Sequence, residues 1–410
     1  MTVTGPCNAL DVVDVVALGE SMVTFLPTRP GRLADVPSFE RAIGGAESNV
    51  ACALAAAGHS TRWVSRVGAD GFGDHLVEAI AGHGVDVSAV RRDPVRPTGV
   101  YFRTAGDRAT DAHEVAYYRA GSAASGMSVA DVDLSAARSG RVLHLSGITA
   151  ALSEGCLELM RELTAPGEGR PLVSFDVNYR AGLWWDGDGA GVLLELARGA
   201  DVVFVGEDEA EEAWGVAGGP EAIRELVPEP RALVVKQGGV GATAFVSAAG
   251  GGGLVAPTRQ SRTCHSPAPL RALQPAKPRA CVPPGAAPDP QKGGTPSAPG
   301  CATHPRPAAT PSTFVPALAV DVVASTGAGD AFAAGFLSAT LRDLPLPARL
   351  RHAHLWAAAT LTAPGDLAPP PTRDHADRLA ALDDDTWGTL RLGPGWTQAA
   401  QRADEEVRTP

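Results

Sequence analysis

The strongest constraint on the fold is an alternation of two kinds of segment along the chain. Short valine-rich runs bounded by glycine, aspartate or asparagine are typical of buried strands, and alanine- and leucine-rich stretches with helical spacing separate them. The strand-like runs are 14–19, 61–68, 141–147, 172–178, 201–206 and 232–238, and the helical stretches are 48–57, 72–82, 153–163, 191–198 and 220–226. This alternation predicts an α/β fold in three layers, with helices on both faces of a doubly wound, mostly parallel sheet.

Two segments depart from this alternation. Residues 98–104 (TGVYFRT) and 114–119 (EVAYYR) are strand-like with interleaved polar residues, and a turn region containing glycine and aspartate separates them. This pattern predicts an antiparallel hairpin. The hairpin is either an ordinary sheet edge or part of a small β-sheet lid, formed from about 22–43 and 98–119.

A third departure is compositional. Residues 258–313 hold 13 Pro and 4 Gly among 56 positions, with three residues from the Leu, Ile, Val and Phe set. Such a segment buries too little apolar surface to offset its ordering entropy. We therefore predict a single domain made of 12–257 and 314–395, a disordered proline-rich insertion at 258–313, and a flexible C-terminal tail at 396–410. Joining Pro257 to Phe314 should leave a folded protein.

Two other interpretations of the insertion remain open. Its basic residues would suit a regulatory tether. Its Cys and His residues would suit a metal module, although their irregular spacing argues against one. Those residues are Cys264, His265, Cys281, Cys301 and His304.

The charge distribution narrows the choice of partners. The insertion has seven Lys or Arg and one acidic residue, and the whole chain has a net charge of −11, so the other 354 residues sum to −17. An acidic domain repels phosphate backbones and anionic membranes, so we expect no nucleic-acid and no membrane partner. The cysteines form no CxxC pair, and we find no signal-peptide or membrane-span pattern. The expected location is the cytoplasm.

The most specific local pattern is the turn at 325–330 (STGAGD), which leads directly into a good helix former. Small residues at a helix start leave backbone N–H groups free, and the helix dipole favours an anion there. Asp330 ends the turn, and a general base beside an anion site is what phosphoryl transfer to a hydroxyl requires. The simpler interpretation is an ordinary helix cap. The sequence has neither a P-loop nor the GxGxxG of an NAD-binding unit.

A second glycine-rich element, 43–51 (IGGAESNVA), opens the first strong helix. Paired glycines allow the backbone to approach a ligand closely, and Asn49 offers both a donor and an acceptor. Close packing of the helix on the sheet would explain the same pattern.

Together, in this order, the two elements resemble the signatures of the ribokinase-like (PfkB) carbohydrate kinases. Residues 44–51 and 66–73 (RVGADGFG) match the first signature, and residues 326–336 (TGAGDAFAAGF) match the second. Within this family the sequence is most similar to the 2-keto-3-deoxygluconate kinases. That similarity rests on 19–22 (GESM), 97–102 (PTGVYF), 117–119 (YYR), 144–149 (HLSGIT) and 175–180 (FDVNYR).

The resemblance implies a ribokinase-like fold and ATP-dependent phosphorylation, with Mg²⁺, of 2-keto-3-deoxygluconate to its 6-phosphate. It implies that Asp330 is the general base and that the N–H groups of Gly327, Ala328 and Gly329 form the anion hole. The implied sugar-acid site comprises Gly45, Asn49, Tyr101, Tyr117, Arg119, Ile148, Arg180 and Asp366. The implied ATP site comprises Lys236, Gly238 and Gly241. Arg119 and Arg180 would clamp the carboxylate of the substrate.

Two positions depart from the family pattern. Ala324 stands where the family usually has an Asp that helps to organise a monovalent-cation site, so dependence on such a cation is doubtful. Gly206 replaces the Asn of the NxxE element, whereas Glu209 retains the Glu that supports Mg²⁺ through water. The alternatives are a kinase for fructose, ribose or a nucleoside, and a non-catalytic sugar-binding or regulatory protein on the same fold. The resemblance also implies a homodimer or a higher homo-oligomer.

Overall fold

The computed structural model describes residues 11–29, 31–104, 114–184, 188–247 and 311–398. The strands in these ranges are β1 (Val13–Leu18), β2 (Met22–Pro27), β3 (Phe39–Gly44), β4 (Thr61–Gly68), β5 (Val90–Asp93), β6 (Val100–Arg103), β7 (Val115–Tyr118), β8 (Gly140–Ser146), β9 (Leu172–Asp176), β10 (Val202–Gly206), β11 (Ala232–Lys236), β12 (Gly241–Val246), β13 (Ser312–Pro316), β14 (Ala319–Val320) and β15 (Arg391–Leu392). The α-helices are α1 (Ala46–Ala56), α2 (Gly71–Gly82), α3 (Leu134–Ala137), α4 (Gly147–Ala150), α5 (Glu154–Thr164), α6 (Gly189–Gly199), α7 (Glu207–Trp214), α8 (Gly219–Leu226), α9 (Ala328–Leu341), α10 (Leu346–Leu361), α11 (Arg373–Ala380) and α12 (Asp384–Thr389).

The large sheet has the strand order β13-β12-β11-β10-β9-β8-β1-β4-β5. The pairs from β11 through to β5 are parallel, and β12 and β13 add an antiparallel edge. The order reverses beside β1, because β4 and β5 extend the sheet on one side and β8 to β11 extend it on the other. The predicted doubly wound, mostly parallel sheet is therefore confirmed.

Helices cover both faces of this sheet, which makes the three predicted layers. Along β10, Val202 and Phe204 belong to the core under α1, α9 and α10, whereas Val203 and Val205 belong to the core under α5 and α6. Strands buried on both faces are continuously apolar, which is why the valine-rich runs do not alternate with polar residues. None of the helices in the described ranges is long and apolar enough to cross a membrane.

A separate sheet of four strands has the order β3-β2-β6-β7. The strands β6 and β7 pair antiparallel, which confirms the hairpin, and β2 joins them to β3. Aromatic rings hold this sheet together: Phe25 stacks on Phe102 with centroids 4.7 Å apart, and Phe39 meets Phe102 edge-on at 5.2 Å. We call the sheet of β2, β3, β6 and β7 the lid.

Two predicted boundaries are wrong. The predicted insertion includes Ser312 and Thr313, but these residues pair with Phe245 and Ala244 because the edge of β12 offers them backbone partners. Trp396 was placed in the tail, but its indole is buried in the core under α9 and α10, where apolar burial outweighs the cost of ordering. Residues 258–310 of the insertion, with its Cys and His residues, and residues 399–410 lie outside the described ranges.

The corrected boundary predicts a difference between two deletions. Removing 258–311 keeps β13, whereas removing 258–313 also deletes Ser312 and Thr313 from the pairing with β12. A lost backbone hydrogen bond costs about 1 kcal/mol. We therefore expect the shorter deletion to unfold at the same temperature as the full chain and the longer deletion to unfold earlier. Circular dichroism compares the three proteins, and equal midpoints for the two deletions would contradict the assignment of β13.

Candidate active site

Charged side chains meet at the carboxyl ends of two strands of the large sheet that have one strand between them. Asp176 is the last residue of β9 and Lys236 is the last residue of β11, on either side of β10. The Lys236 ammonium lies 3.1 and 3.2 Å from the two carboxylate oxygens of Asp176. Open α/β sheets bind their ligands outside the carboxyl ends of their strands.

The predicted glycine-rich turn opens α9 at the same edge. Gly327 is the N-cap with φ +79°, and a Cβ there would overlap the carbonyl oxygen of Asp366, so only glycine fits. A Cβ on Gly329 would lie 3.7 Å from the Lys236 ammonium. The helix terminus and the ammonium both favour an anion here. One predicted donor is partly engaged, since the Ala328 N–H donates to the Ser325 carbonyl over 3.4 Å.

Asp330 lies in the first turn of α9, and its Oδ2 accepts a hydrogen bond of 2.8 Å from Asn49 Nδ2. The pKa of Asp330 is raised to about 7. Burial is the main cause, and the carboxylates of Asp176 and Asp366 add to it, while the Asn49 hydrogen bond and Lys236 oppose it. A carboxyl group with a pKa near neutrality is suited to accept a proton from a bound hydroxyl.

Glu209, in the first turn of α7, brings a second carboxylate to Lys236. Its Oε1 lies 3.8 Å from the ammonium, and its Oε2 is buried without a hydrogen-bond partner in the described part of the chain. Burial lowers the pKa of Lys236, but Asp176 and Glu209 outweigh burial and the net shift is upward. The ammonium therefore stays charged between the two acids.

The two carboxylates also bear on the metal that the resemblance implies. Mg²⁺ usually takes one or two carboxylates and completes its shell with water and phosphate oxygens, and the unpartnered Oε2 of Glu209 fits that role. Within the described ranges, no three His, Cys, Asp or Glu side chains cluster as a metal site on their own. A metal here would therefore depend on a bound phosphate.

The two predicted carboxylate-binding arginines differ in their surroundings. Arg119 is largely buried, and its Nη2 lies 2.5 Å from Oε2 of Glu20, whose Oε1 accepts a hydrogen bond of 2.6 Å from Ser122. Arg180 is exposed and donates only to the carbonyl oxygen of Tyr179, with no carboxylate partner in the described residues. Arg119 is thus already neutralised by the protein, and Arg180 is the arginine available to an anionic ligand.

Asp366, predicted to contact the substrate, also contacts the lid. Its Oδ2 accepts a hydrogen bond from the Tyr101 hydroxyl, and its Oδ1 pairs with Arg103 Nη2 at 2.5 Å. Tyr101 is buried by this contact, whereas Tyr117, its neighbour on β7, is 55% exposed. Tyr101 and Asp366, two residues of the predicted sugar site, therefore form a direct hydrogen bond with each other.

The remaining predicted residues lie on the elements around Asp330. Gly45 is the N-cap of α1, where a Cβ would stand 2.5 Å from the Glu20 carbonyl oxygen, so the close approach requires glycine. Ile148 lies in α4, directly after β8, and is half-buried. Gly238 and Gly241 flank the turn between β11 and β12 with φ of +54° and +154°. A Cβ on Gly241 would overlap the Val315 carbonyl oxygen, so β13 also requires this glycine.

Four further residues shape the site and were not among the predicted ones. Asp176 and Glu20 stand in the segments FDVNYR and GESM, and a charged residue at a strand end was the available signal for both. Arg103 follows Tyr101 by two positions, which places it on the same face of β6. Glu47 is buried, and burial raises its pKa to about 8 despite a hydrogen bond from Thr149 Oγ1. Nothing in the local sequence indicated that Arg103 would pair with Asp366 or that Glu47 would accept a hydrogen bond from Thr149.

Comparison with known proteins supports a kinase of carbohydrates. The family model described as pfkB family carbohydrate kinase matches residues 13–264 and 309–373. The chain is 36% identical over 243 residues to a 2-dehydro-3-deoxygluconokinase of Thermoproteus tenax, covering 58% of this chain and 73% of the relative. It is 35% identical over 209 residues to the protein of that name from Bacillus subtilis, covering 50% of this chain and 63% of the relative. A probable chloroplastic fructokinase-6 of Arabidopsis thaliana is 27% identical over 387 residues, covering 90% of this chain and 83% of the relative.

Solved structures support the fold along nearly the whole chain. A PfkB protein from Polaromonas sp. JS666 has 28% identity and a TM-score of 0.65, and the match covers 89% of this chain and 99% of that one. A 2-dehydro-3-deoxygluconokinase from Thermotoga maritima has 21% identity and a TM-score of 0.65, covering 90% and 100%. The predicted ribokinase-like fold is confirmed.

The Asp176–Lys236 pair makes a prediction about stability. Asp176 is nearly fully buried, and removing one partner of a buried ion pair costs about 3 kcal/mol because the other charge is left without compensation. We expect Lys236→Met to lower the free energy of unfolding by that amount, measured in urea. The double variant Lys236→Met with Asp176→Asn should recover part of the loss. Additive effects of the two substitutions would contradict a coupled pair.

Proposed function

The chain belongs to the pfkB family of carbohydrate kinases, and from this premise we propose that it phosphorylates a sugar acid, 2-keto-3-deoxygluconate, at the expense of ATP. The observation that carries the proposal is the position of Asp330, a base with a pKa of about 7, beside a helix terminus and an ammonium that favour phosphate. A raised carboxyl pKa next to an anion site is typical of a catalytic base and favours an enzyme over a binding protein without catalytic function.

In the proposed reaction, Asp330 takes the proton of the attacking sugar hydroxyl as that oxygen forms a bond to the γ-phosphorus. Asn49 holds the Asp330 carboxylate through its 2.8 Å hydrogen bond and keeps one face of it toward the substrate. The N–H groups of Gly327, Ala328 and Gly329 receive the charge on the transferring phosphoryl group. The bond to the bridging oxygen breaks, and ADP leaves.

The ATP phosphates are assigned to the edge occupied by Lys236, Asp176 and Glu209. When bound, Mg²⁺ would neutralise charge on the β- and γ-phosphates, with Glu209 and Asp176 as the carboxylates placed to support it. Lys236 would turn from these acids toward a phosphate oxygen, since its ammonium lies close to Gly329 in the anion hole. Gly238 and Gly241 leave room for the nucleotide to pass the turn after β11.

The choice of a sugar acid rests on Arg180 and on the relatives. Arg180 follows β9 and presents a guanidinium without a carboxylate partner in the described residues, in a domain whose net charge repels anions. Two curated relatives at 36% and 35% identity are 2-dehydro-3-deoxygluconokinases. A neutral sugar would need no such cation.

A second candidate acceptor is fructose. Glu20 neutralises Arg119, so the site offers one free guanidinium instead of the two that the resemblance implies. The relative with the longest match among those described above is a probable fructokinase. The two candidates share the reaction and differ only in the acceptor.

Replacing the base tests the mechanism. We expect Asp330→Asn to lower kcat by ~10² or more, because the amide has a similar shape and cannot accept the proton. ATP affinity, measured by calorimetry, should be nearly retained. Unchanged turnover in this variant would contradict the assignment of Asp330.

The pH dependence of kcat/KM gives a second test of Asp330 as the base. In the unaltered protein, kcat/KM should fall as pH drops below about 7, since protonated Asp330 cannot act as a base. The Asn49 hydrogen bond lowers the pKa of Asp330, so Asn49→Ala should move this limb to higher pH and Asp330→Asn should abolish it. A limb that stays in place in Asn49→Ala would count against the assignment.

Acceptor preference separates the two candidates. ADP release with 2-keto-3-deoxygluconate, fructose and ribose should give the highest kcat/KM for the sugar acid. Arg180→Met should lower that value by about 10- to 100-fold, as expected for a lost charge-assisted hydrogen bond, and leave fructose unaffected. Arg180→Lys, which keeps a point charge, should lie between. A higher kcat/KM for fructose would overturn the sugar-acid proposal.

A further inference from the structure

Asp366 lies between the two glycine-rich motifs of the site and contacts both. Its side chain receives the Tyr101 hydroxyl and the Arg103 guanidinium, which come from the same face of β6 in the lid. Its main-chain carbonyl lies directly against Gly327, the residue that opens the anion-hole turn. One residue therefore contacts the lid through its side chain and the phosphate turn through its backbone.

The close packing of Asp366 allows only glycine at positions 44 and 327. A Cβ on Gly44 would stand 2.7 Å from Oδ2 of Asp366 and would overlap the Tyr101 hydroxyl, and a Cβ on Gly327 would overlap the Asp366 carbonyl oxygen. Atoms this close leave the lid and the turn little room to move independently. The glycine requirement at 44 and at 327 thus has a common cause in Asp366.

The contact is also strong enough to hold the lid. The side chains of Arg103 and Asp366 are 4% and 3% exposed, and the pair is reinforced by the tyrosine hydroxyl. A buried pair with a second hydrogen bond is screened little by solvent, unlike the exposed Arg32–Asp35 pair in the connection between β2 and β3. Breaking the buried pair would therefore free β6, and breaking the exposed pair would not.

We propose that Asp366 is a positioning residue that latches the lid to the anion-hole turn, so that the site excludes water when the phosphoryl group is transferred. This role rests on the proposed function and goes beyond it. With the latch intact, the sugar hydroxyl is the acceptor held against the γ-phosphorus. With the latch released, water can take its place: its oxygen bonds to the γ-phosphorus, the bond to the bridging oxygen breaks, Asp330 takes the proton, and ADP and inorganic phosphate leave.

The test measures two quantities in the full chain. Hydrogen exchange at the amides of Val100–Arg103, without substrate, reports whether β6 is held. The ratio of inorganic phosphate to sugar phosphate formed from ATP reports whether water enters. Asp366→Asn and Arg103→Met should each raise the exchange rate about tenfold or more, as loss of a charge-assisted hydrogen bond implies, and should raise the phosphate ratio.

Three comparisons make the outcome decisive. Asp35→Asn, which removes the exposed carboxylate in the connection between β2 and β3, should change neither quantity. The double variant Arg103→Met with Asp366→Asn leaves no buried charge unpaired, so it should fold at least as well as the single variants and still show the raised phosphate ratio. Arg103→Lys should restore part of the protection.

The latch is overturned if Asp366→Asn lowers turnover with unchanged exchange in β6 and an unchanged phosphate ratio, which is the result expected for a direct substrate contact. Additive effects in the double variant would overturn it as well. Failure of the proposed function has a different signature. In that case the unaltered protein does not phosphorylate the sugar acid, and hydrogen exchange in β6 still tests separately whether Asp366 holds the lid.

Discussion

The structure depends on one electrostatic constraint: a carboxylate has to remain a usable base inside a site that attracts phosphate. The pKa of Asp330 is raised to about 7 mainly by burial and further by Asp176 and Asp366, whereas Asn49 and Lys236 oppose the rise. With too little opposition the group would be protonated at neutral pH, and with too much it would be a weak base. The polar residues near Asp330 can be understood through this balance.

The fold places the groups that set the pKa of Asp330 close together, because two strand ends and the start of α9 lie at the same edge of the large sheet. Asp176 and Lys236 come from strands on either side of β10, and the N-terminus of α9 brings the anion-hole turn beside them. Lys236 offsets the acids, so a domain with a strongly negative sequence charge still has a local site for phosphate. The last acid, Asp366, follows α10, and the lid supplies Arg103, which neutralises it.

The sequence predicted those parts of the site that depend on residues close together along the chain. The valine-rich runs and the turn at 325–330 identified the sheet and the start of α9, because burial on both faces and a helix start leave local patterns. The pairs Glu20–Arg119 and Arg103–Asp366 were not predictable, since their members are far apart in sequence and meet only through tertiary packing. The boundaries at 312 and 396 were missed for the same reason, because strand pairing with β12 and burial in the core decide them.

The most direct test of the account is the pKa of Asp330 itself. The chain can be labelled with ¹³C at the aspartate carboxyl carbon, the Asp330 signal assigned by its absence in Asp330→Asn, and the unaltered protein titrated by NMR. The account predicts a midpoint at about 7, set mainly by removal from solvent. A midpoint near the usual aspartate value of about 4 would mean that the site does not tune this carboxylate as a base, and would contradict the account.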